Sequence, residues 1–393
     1  MSASDEARAR FQTEFGGLPV GLAIAPGRVN IIGEHVDYNG GLALPCAIQL
    51  SAALAVRPAE VGQFVVIAAD LEAKSQFSLK SLEARRSSNG APLPEWSRYF
   101  AGVVWALRRA GFQVPGMQAV LKSDIPVGAG LSSSAALEVA AATALQALGD
   151  FELTPLEMAK ICQRAENEYV GVSSGLMDQW TVTHGQQDHA LLLDFADLSS
   201  RPIPLPQEIA LVIADSGLRR TLSDSVYSQR VEECQRVLAA FKEADPELEH
   251  LGQASMEQLD KRRRALAPEL YQRGRHVISE VQRVREVVEM LEAGQAASIG
   301  PLLLQSHASL RDDYAVSSDE LDLMVEIAAG LQGCFGARLT GAGFGGCTIN
   351  WVDRDRAEGF VDKLLHEYQR RTGRDSQAWI CHAVGSARWL AAS

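Results

Sequence analysis

The sequence predicts a two-domain protein built from both helices and strands, and three observations support this prediction. The chain has 393 residues, more than one hydrophobic core usually serves, so two units of roughly 150–200 residues each are expected. Helical and strand-like periodicities follow one another along the chain. The proline-rich segment 201–206 is the best linker candidate. We therefore place the domains at residues 1–200 and 207–393.

The first half begins with a short amphipathic helix at 7–15. Two apolar runs, 22–25 and 29–32, then flank Pro26-Gly27 as two short strands around a turn would. Alternation and helical spacing predict the other elements of this half. These are strands at 50–56, 64–69, 117–121 and 190–195, and helices at 96–107, 135–148 and 155 to about 170.

The second half is richer in helical patterns. Its predicted strands lie at 209–214 and 347–352, and its helices lie at 219–241, 251–266, 275–291, 299–311, 318–331 and from about 354 onward. Gly341, Gly343 and Gly346 match a dinucleotide-binding pattern literally, but that pattern must open a helix and a strand follows here. A glycine-rich hairpin that approaches a ligand or the other domain fits better.

Charge and cysteine usage exclude several classes of protein. Lys and Arg number 37 against 49 Asp and Glu, and the net charge of −12 would repel a nucleic acid or an anionic membrane. The six cysteines show no zinc-type spacing and suggest reduced, mostly buried thiols. The N-terminal residues do not resemble a signal peptide, and no apolar run approaches membrane-spanning length. A cytoplasmic protein is expected.

A glycine-rich and serine-rich stretch before the helix at 135–148 suggests an anion-binding loop. Gly128 and Gly130 permit backbone angles that point successive N–H groups into one concavity, and the hydroxyls that follow can cap the helix. An ordinary serine-capped turn is an equally good interpretation of this stretch alone. The residues proposed to surround a phosphate are Gly128, Ala129, Gly130, Leu131, Ser132, Ser133 and Ser134.

Acidic residues at three other places have two interpretations each. Glu34, Asp37 and their polar neighbours crowd the segment 33–41, which suits either a solvated loop or the binding of a polyhydroxyl ligand. Glu166, near the end of a predicted helix, opposes the helix dipole and is either exposed or held there for a cation. Asp178 stands between apolar neighbours, as a helix N-cap more often does than a catalytic base.

Taken together, three stretches resemble the signature motifs of the GHMP small-molecule kinases, and within them the enzymes that phosphorylate galactose. The stretch 27–39 is similar to the sugar-binding signature, 126–136 to the phosphate loop and 339–347 to the third motif. Further similarity lies at 175–179, 219–227 and 306–314. The resemblance extends over nearly the whole chain.

The resemblance implies an α+β fold of two domains with the active site in the cleft between them. It also implies transfer of the γ-phosphoryl group of ATP, with Mg²⁺, to the anomeric hydroxyl of α-D-galactose. Asp178 would be the catalytic base, Arg28 would keep it ionised, and Ser134 with Glu166 would hold Mg²⁺. A monomer is expected, with oligomerisation left open. The implied sugar contacts are Glu34, His35, Val36, Asp37, Gly175 and Tyr227.

Two departures from the family pattern leave alternatives open. Val36 stands where threonine is usual, and Ser173-Ser174 precede Gly175 where other residues are usual. A GHMP kinase for a related sugar is therefore a second hypothesis. A galactose sensor without turnover is a third, although such proteins tend to lack part of the phosphate loop, and Ser133, Ser134 and Asp178 are all present here.

Overall fold

The computed structural model describes residues 2–218 and 223–392, and both halves contain helices and strands, as the sequence predicts. The strands are β1 Gly21–Asn30, β2 Leu42–Ala43, β3 Pro45–Ala59, β4 Gln63–Ala68, β5 Ala73–Ser78, β6 Gly116–Ser123, β7 His189–Asp194, β8 Ser199–Pro204, β9 Ile209–Asp215, β10 Cys334–Leu339, β11 Cys347–Asp353, β12 Ala378–Cys381 and β13 Arg388–Ala391.

The helices are α1 Ala3–Phe15, α2 Leu79–Leu82, α3 Glu95–Arg109, α4 Ser133–Leu148, α5 Pro155–Arg164, α6 Met177–His184, α7 Ser223–Lys242, α8 Met256–Lys261, α9 Pro268–Glu292, α10 Gly300–Asp312, α11 Asp319–Gly330 and α12 Ala357–Thr372. The side chain of Thr154 caps α5 by accepting a hydrogen bond from the N–H of Glu157. Part of the helix predicted at 219–241, including Arg219 and Arg220, lies outside the described residues.

The strands of the described residues form three sheets. A six-stranded sheet has the order β13-β1-β3-β6-β4-β5, a four-stranded sheet has the order β10-β11-β9-β12, and a three-stranded sheet has the order β2-β7-β8. Apolar side chains of the six-stranded sheet share the largest core cluster with those of α3, α4 and α5. The final strand, β13, pairs with β1, so the C-terminal end of the chain joins the sheet built by its N-terminal half.

Strand β1 corrects the expectation of two short strands around a turn at Pro26-Gly27. The strand is continuous, and the pairing with β3 shifts register between these two residues. Pro26 is tolerated because β13 pairs only with Gly21–Ile24, so its missing N–H removes no bond to that neighbour. A Cβ on Gly27 would lie 2.9 Å from the carbonyl oxygen of Leu131, which shows how closely the phosphate loop approaches β1.

Two further expectations were wrong in detail. Residues 201–206 are not a free linker, since most of them form β8, which pairs with β7; the domain boundary itself stays a prediction. The helix expected at 251–266 is broken into a 3-10 turn at Leu251–Gln253 and the short α8, because the side chain of Ser255 caps a new helix start.

Candidate active site

The phosphate loop runs from the end of β6 to the first turn of α4. Gly128 and Gly130 have positive φ values of 74° and 82°, which glycine adopts without strain, and Ser132 has a φ of 58°. Ser133 and Ser134 are the first residues of α4, so a bound anion would meet the positive end of the helix dipole. The described geometry therefore has the elements of an anion cradle.

Ser132 does not cap α4 as the sequence suggests. It occupies the N-cap position, but its side chain makes no capping hydrogen bond, because its left-handed backbone turns the hydroxyl away from the helix N–H groups. The Ser132 hydroxyl donates instead to Oδ2 of Asp178. Ser132 therefore connects the phosphate loop to a carboxylate that is 46 residues away in sequence.

Arg28 and Asp178 form an ion pair beside this loop. The Arg28 guanidinium approaches Oδ1 of Asp178 at 2.7 Å and 2.9 Å, and it donates to the carbonyl of Gly130 at 2.6 Å. Asp178 is the second residue of α6, whose N-cap is Leu176, so the interpretation of Asp178 as an N-cap is wrong. A charge-assisted contact of this kind holds a carboxylate in a fixed direction.

The third motif forms a glycine-rich hairpin between β10 and β11, as the sequence predicts. This hairpin contacts the first motif. Glu34, which is 2% exposed, accepts on Oε1 from the N–H of Gly341 at 2.7 Å and from the hydroxyl of Thr340 at 3.1 Å. Arg338, fully buried, lies 3.2 Å from the same oxygen. The hairpin therefore fixes the position of Glu34.

His35, which follows Glu34 on the same loop, lies among aromatic rings. Its Nδ1 is 2.8 Å from the hydroxyl of Tyr38, and its Nε2 is 3.2 Å from the carbonyl oxygen of Ala342. Its ring centroid is 4.7 Å from that of Tyr314 and 5.6 Å from that of Tyr227. Because a carbonyl only accepts, these contacts favour the tautomer with the proton on Nε2.

Asp37 and Gly175 meet at close range. A Cβ on Gly175 would lie only 1.7 Å from Oδ2 of Asp37, so no larger residue fits without moving the carboxylate. Burial and then the charge of Asp178 raise the pKa of Asp37 to about 7. Burial and the charge of Asp37 in turn raise the pKa of Tyr227 well above its usual value. Three of the expected sugar contacts therefore share one environment.

Val36 differs from its neighbours because its side chain is fully buried in the main core cluster. Its carbonyl accepts hydrogen bonds from the N–H groups of Asn39 and Gly41, which tighten the loop. The position therefore shapes the backbone around the site, and its role as a direct sugar contact stays a prediction.

Glu166 is buried rather than exposed, which removes one of its two interpretations. It lies in the π-helical turn Ala165–Val170 that continues α5, and it is 6% exposed. Its Oε2 accepts from Ser174 at 2.5 Å and from the amide of Gln179 at 2.8 Å, and Ser134 also hydrogen-bonds to the carboxylate. Burial raises the pKa of Glu166, partly offset by these bonds.

The oxygens of Ser134 and Glu166 fit a small hard cation. Mg²⁺ prefers oxygen ligands and often takes only one or two from the protein, with phosphate and water completing the shell. Among the described residues, no group of three or more His, Cys, Asp and Glu side chains could hold a metal. A site with few protein ligands that depends on a nucleotide is consistent with this arrangement.

Several residues of the site were missed by sequence reasoning. Tyr314 packs its ring against His35 and places its hydroxyl 2.8 Å from that of Tyr38, and Arg338 supports Glu34. Glu138 and Gln179 are both fully buried beside Glu166. Glu138 had a signal, since it is the one acidic residue in the alanine-rich run of α4; the others become visible only through contacts between distant parts of the chain.

Comparison with known families agrees with this architecture. The GHMP kinases N terminal domain matches residues 98–186, and the GHMP kinases C terminal domain matches residues 285–370. A mevalonate kinase crystal structure shares the fold with a TM-score of 0.66 at 19% identity, covering 93% of this chain and 99% of its own. Fold and site together therefore define a GHMP kinase.

More similar relatives narrow the assignment. The galactokinase galactose-binding signature matches residues 9–58. Galactokinase of Roseiflexus sp. is 44% identical and human galactokinase 40% identical, and each alignment covers 98% of this chain and 96% of the relative. The crystal structure of Lactococcus lactis galactokinase complexed with galactose has a TM-score of 0.90 at 31% identity, with 98% of both chains covered. The chain belongs to the galactokinase family.

Two properties of the whole chain complete the comparison with the sequence. No disulfide joins the six cysteines, all of which lie among the described residues, and five of them are buried. Across residues 2–218 and 223–392, no helix has the length and apolar character needed to cross a membrane.

Proposed function

We propose that this protein transfers the γ-phosphoryl group of ATP to the anomeric hydroxyl of α-D-galactose. The observation that carries the proposal is the ion pair of Arg28 and Asp178 held directly against the phosphate loop, at 2.7 Å and with Gly130 as a second partner of the arginine. Phosphoryl transfer depends on positioning and charge neutralisation more than on covalent chemistry. This constellation supplies both at one place.

Asp178 acts as the catalytic base and Arg28 as its partner. Both carboxylate oxygens of Asp178 already accept hydrogen bonds, one from Arg28 and one from Ser132. A carboxylate oxygen can accept more than one hydrogen bond, so each oxygen retains capacity for the sugar hydroxyl. Asp178 then orients that hydroxyl and takes its proton, while Arg28 balances the negative charge that gathers on the transferring group.

The sugar is held by the loop that follows β1 and by the residues that face it. Glu34 and Asp37 accept hydrogen bonds from sugar hydroxyls, His35 and Tyr227 offer polar and aromatic contacts, and Gly175 leaves room for the Asp37 carboxylate. Sugars are commonly recognised by such a mixture of carboxylates and rings, because each hydroxyl both donates and accepts.

ATP is the co-substrate and Mg²⁺ the metal of this proposal. The backbone N–H groups of residues 128–134 and the start of α4 bind the phosphates, while Ser134 and Glu166 would hold the cation. When bound, Mg²⁺ supplies neutralisation of the phosphate oxygens. Glu166 is oriented for this role by Ser174 and Gln179.

The test is ATP consumption with Mg²⁺ across galactose, N-acetylgalactosamine, glucose, arabinose and mevalonate, with the phosphorylated carbon located by NMR. Galactose 1-phosphate as the dominant product is expected. Asp178→Asn should abolish turnover and leave galactose binding largely intact, whereas Asp362→Asn, an exposed carboxylate on α12, should change neither. Near-normal turnover of Asp178→Asn would remove Asp178 as the base.

The two alternatives predict other results in the same assay. A different preferred sugar would keep the phosphate site and overturn the galactose assignment. Galactose binding without turnover would indicate a sensor. The burial of Val36 weakens the first alternative, because a side chain in the core cannot select directly among sugar hydroxyls.

A further inference from the structure

Glu138 is a buried acidic residue for which the proposed reaction has no use. It lies on α4, four residues after Ser134, and its side chain is 0% exposed. The neighbouring residues of α4 from Ala135 to Leu145 are buried and mostly apolar. A carboxyl group without a cation in such surroundings is costly to ionise, so its retention requires a reason.

The contacts of Glu138 lead to the proposed metal ligand. The side-chain amide nitrogen of Gln179, also 0% exposed, donates to Oε2 of Glu138 at 2.9 Å and to Oε2 of Glu166 at 2.8 Å. Both amide hydrogens of Gln179 are therefore used. The other oxygens, Oε1 of Glu138 and Oε1 of Gln179, are buried and have no hydrogen-bond partner among the described residues.

We propose that Glu138 is a positioning residue that carries a proton and pairs edge to edge with the Gln179 amide, so that the second N–H of Gln179 is fixed on Glu166. The inference rests on the proposed function in one respect, the role of Glu166 as a metal ligand.

The two unpartnered oxygens support this pairing. While Glu138 is ionised, Oε1 of Glu138 and Oε1 of Gln179 can only accept hydrogen bonds, and neither has a donor to accept from. A proton on Oε1 of Glu138 supplies that donor, and Oε1 of Gln179, on the same amide that already bonds Glu138, is the acceptor. An unsatisfied buried polar group costs roughly 1–3 kcal/mol, so one proton relieves two such penalties. Burial and the charges of Glu166 and Asp178 also raise the pKa of Glu138 well above its usual value.

The pairing has a consequence for Glu166. Its Oε2 accepts hydrogen bonds from Gln179 and Ser174, so these two residues set the direction in which the carboxylate would meet a cation. If Glu138 were ionised, two negative carboxylates would compete for one amide and repel each other across it. A neutral Glu138 leaves Glu166 as the charged member, and Gln179, adjacent in sequence to Asp178, ties α6 to α4 at the same point.

The test compares Glu138→Gln with Glu138→Leu. Glutamine keeps a donor and an acceptor and can pair with Gln179, so Mn²⁺ binding in the presence of ADP, measured by electron paramagnetic resonance, should stay within about threefold of wild type. Leucine removes the pairing, and Mn²⁺ affinity should fall at least about tenfold. Equal loss in both variants would show that the negative charge of Glu138 is required, and no loss with leucine would remove the positioning role.

A second measurement guards against a leucine variant that does not fold. The infrared carbonyl band of a protonated carboxyl should persist in the wild-type protein at about pH 8, far above the ordinary glutamate pKa of about 4.3, and should vanish in Glu138→Gln. No such difference would overturn the proposal. Neither measurement contains sugar, so a wrong substrate assignment would leave both results unchanged. Failure of the proposed function in its choice of sugar can therefore be told apart from failure of the proposed role of Glu138.

Discussion

Replacing Gly175 with alanine tests the sugar site at one atom. The added Cβ would lie 1.7 Å from Oδ2 and 2.2 Å from Cγ of Asp37, so the two cannot coexist in the present geometry. The contact is with the end of a side chain and Gly175 is not among the glycines with positive φ, so the backbone accepts alanine and the carboxylate moves.

The magnitude follows from what Asp37 would lose. A hydrogen bond between a charged group and its partner contributes roughly 1.5–3 kcal/mol. If displacement removes one such bond to galactose, affinity falls roughly 10- to 150-fold, since each 1.4 kcal/mol is about tenfold. Turnover of bound sugar should change less, because the atoms nearest to the new methyl group all belong to Asp37 and not to Arg28 or Asp178.

The assay is calorimetric titration of galactose without nucleotide, together with kcat and KM. Gly359→Ala is the matched control, because no atom lies within 4 Å of a Cβ built on this glycine of α12. The control should bind galactose normally. Normal galactose affinity in Gly175→Ala, with the protein folded, would refute the placement of the sugar against Asp37.

Three further predictions concern charge. Galactose affinity should rise as pH increases through about 7, because Asp37 accepts stronger hydrogen bonds when it is ionised. Burial and then the charge of Asp178 raise the pKa of Asp37 to about 7. Galactose titrations at about pH 6 and 8 measure this change. Arg28→Lys should lower kcat by roughly 100-fold or more, since a single ammonium cannot reach both Asp178 and the Gly130 carbonyl in the geometry of the guanidinium; steady-state rates measure this. Burial opposes the ionisation of Glu280, but the charges of Arg283, His276 and Arg338 lower the pKa of Glu280 to about 2. Because the pKa of Glu280 is lower in the folded protein than in the unfolded chain, ionised Glu280 stabilises the fold above about pH 4.5, and this stabilisation is lost toward pH 2. Glu280→Gln should therefore lower the free energy of unfolding at about pH 7 by roughly 3 kcal/mol. Urea titrations should also show that the stability of this variant depends less on acid pH.

Each of these has a result that contradicts it. An Asp37→Asn variant should bind galactose with no pH dependence over the same range, and a dependence that persists would assign the titration to another group. Near-normal kcat in Arg28→Lys would mean that charge alone, without the forked geometry, suffices. Unchanged stability of Glu280→Gln would show that its bonds to Gly33 and Ser306 do not need a charged carboxylate.

The sequence predicts elements well where a local pattern decides them. Most helices and strands lie where periodicity places them, and the glycine-rich hairpin at 340–346 follows from the strand after it. The errors occur where tertiary contacts override a local signal. Pro26-Gly27 suggests a turn, but pairing with β3 carries the strand through it. Arg201–Pro206 suggests a linker, but most of it pairs with β7 as an edge strand, where proline is permitted.

The site was predicted as a set of residues rather than as a geometry. No spacing in the sequence brings Arg28 to Asp178, which is 150 positions away, or Gly341 to Glu34, which is 307 positions away. Residue types alone also gave Ser132 the wrong partner, because a left-handed backbone at that position redirects its hydroxyl. Such contacts arise from the fold as a whole.

The third glycine cluster acquires a function from these long-range contacts. A Cβ on Gly343 would lie 2.1 Å from the carbonyl oxygen of Val316, so the hairpin needs glycine there to pack. Packed in this way, the hairpin presents the N–H of Gly341 and the hydroxyl of Thr340 to one oxygen of Glu34. Under the proposed function, one oxygen carries these bonds and the other would be left for a sugar hydroxyl, with the direction of the carboxylate set before the sugar binds. We therefore expect these glycines, which match a dinucleotide-binding pattern, to serve the proposed sugar site by pre-organising an acceptor that would otherwise have to be ordered on binding.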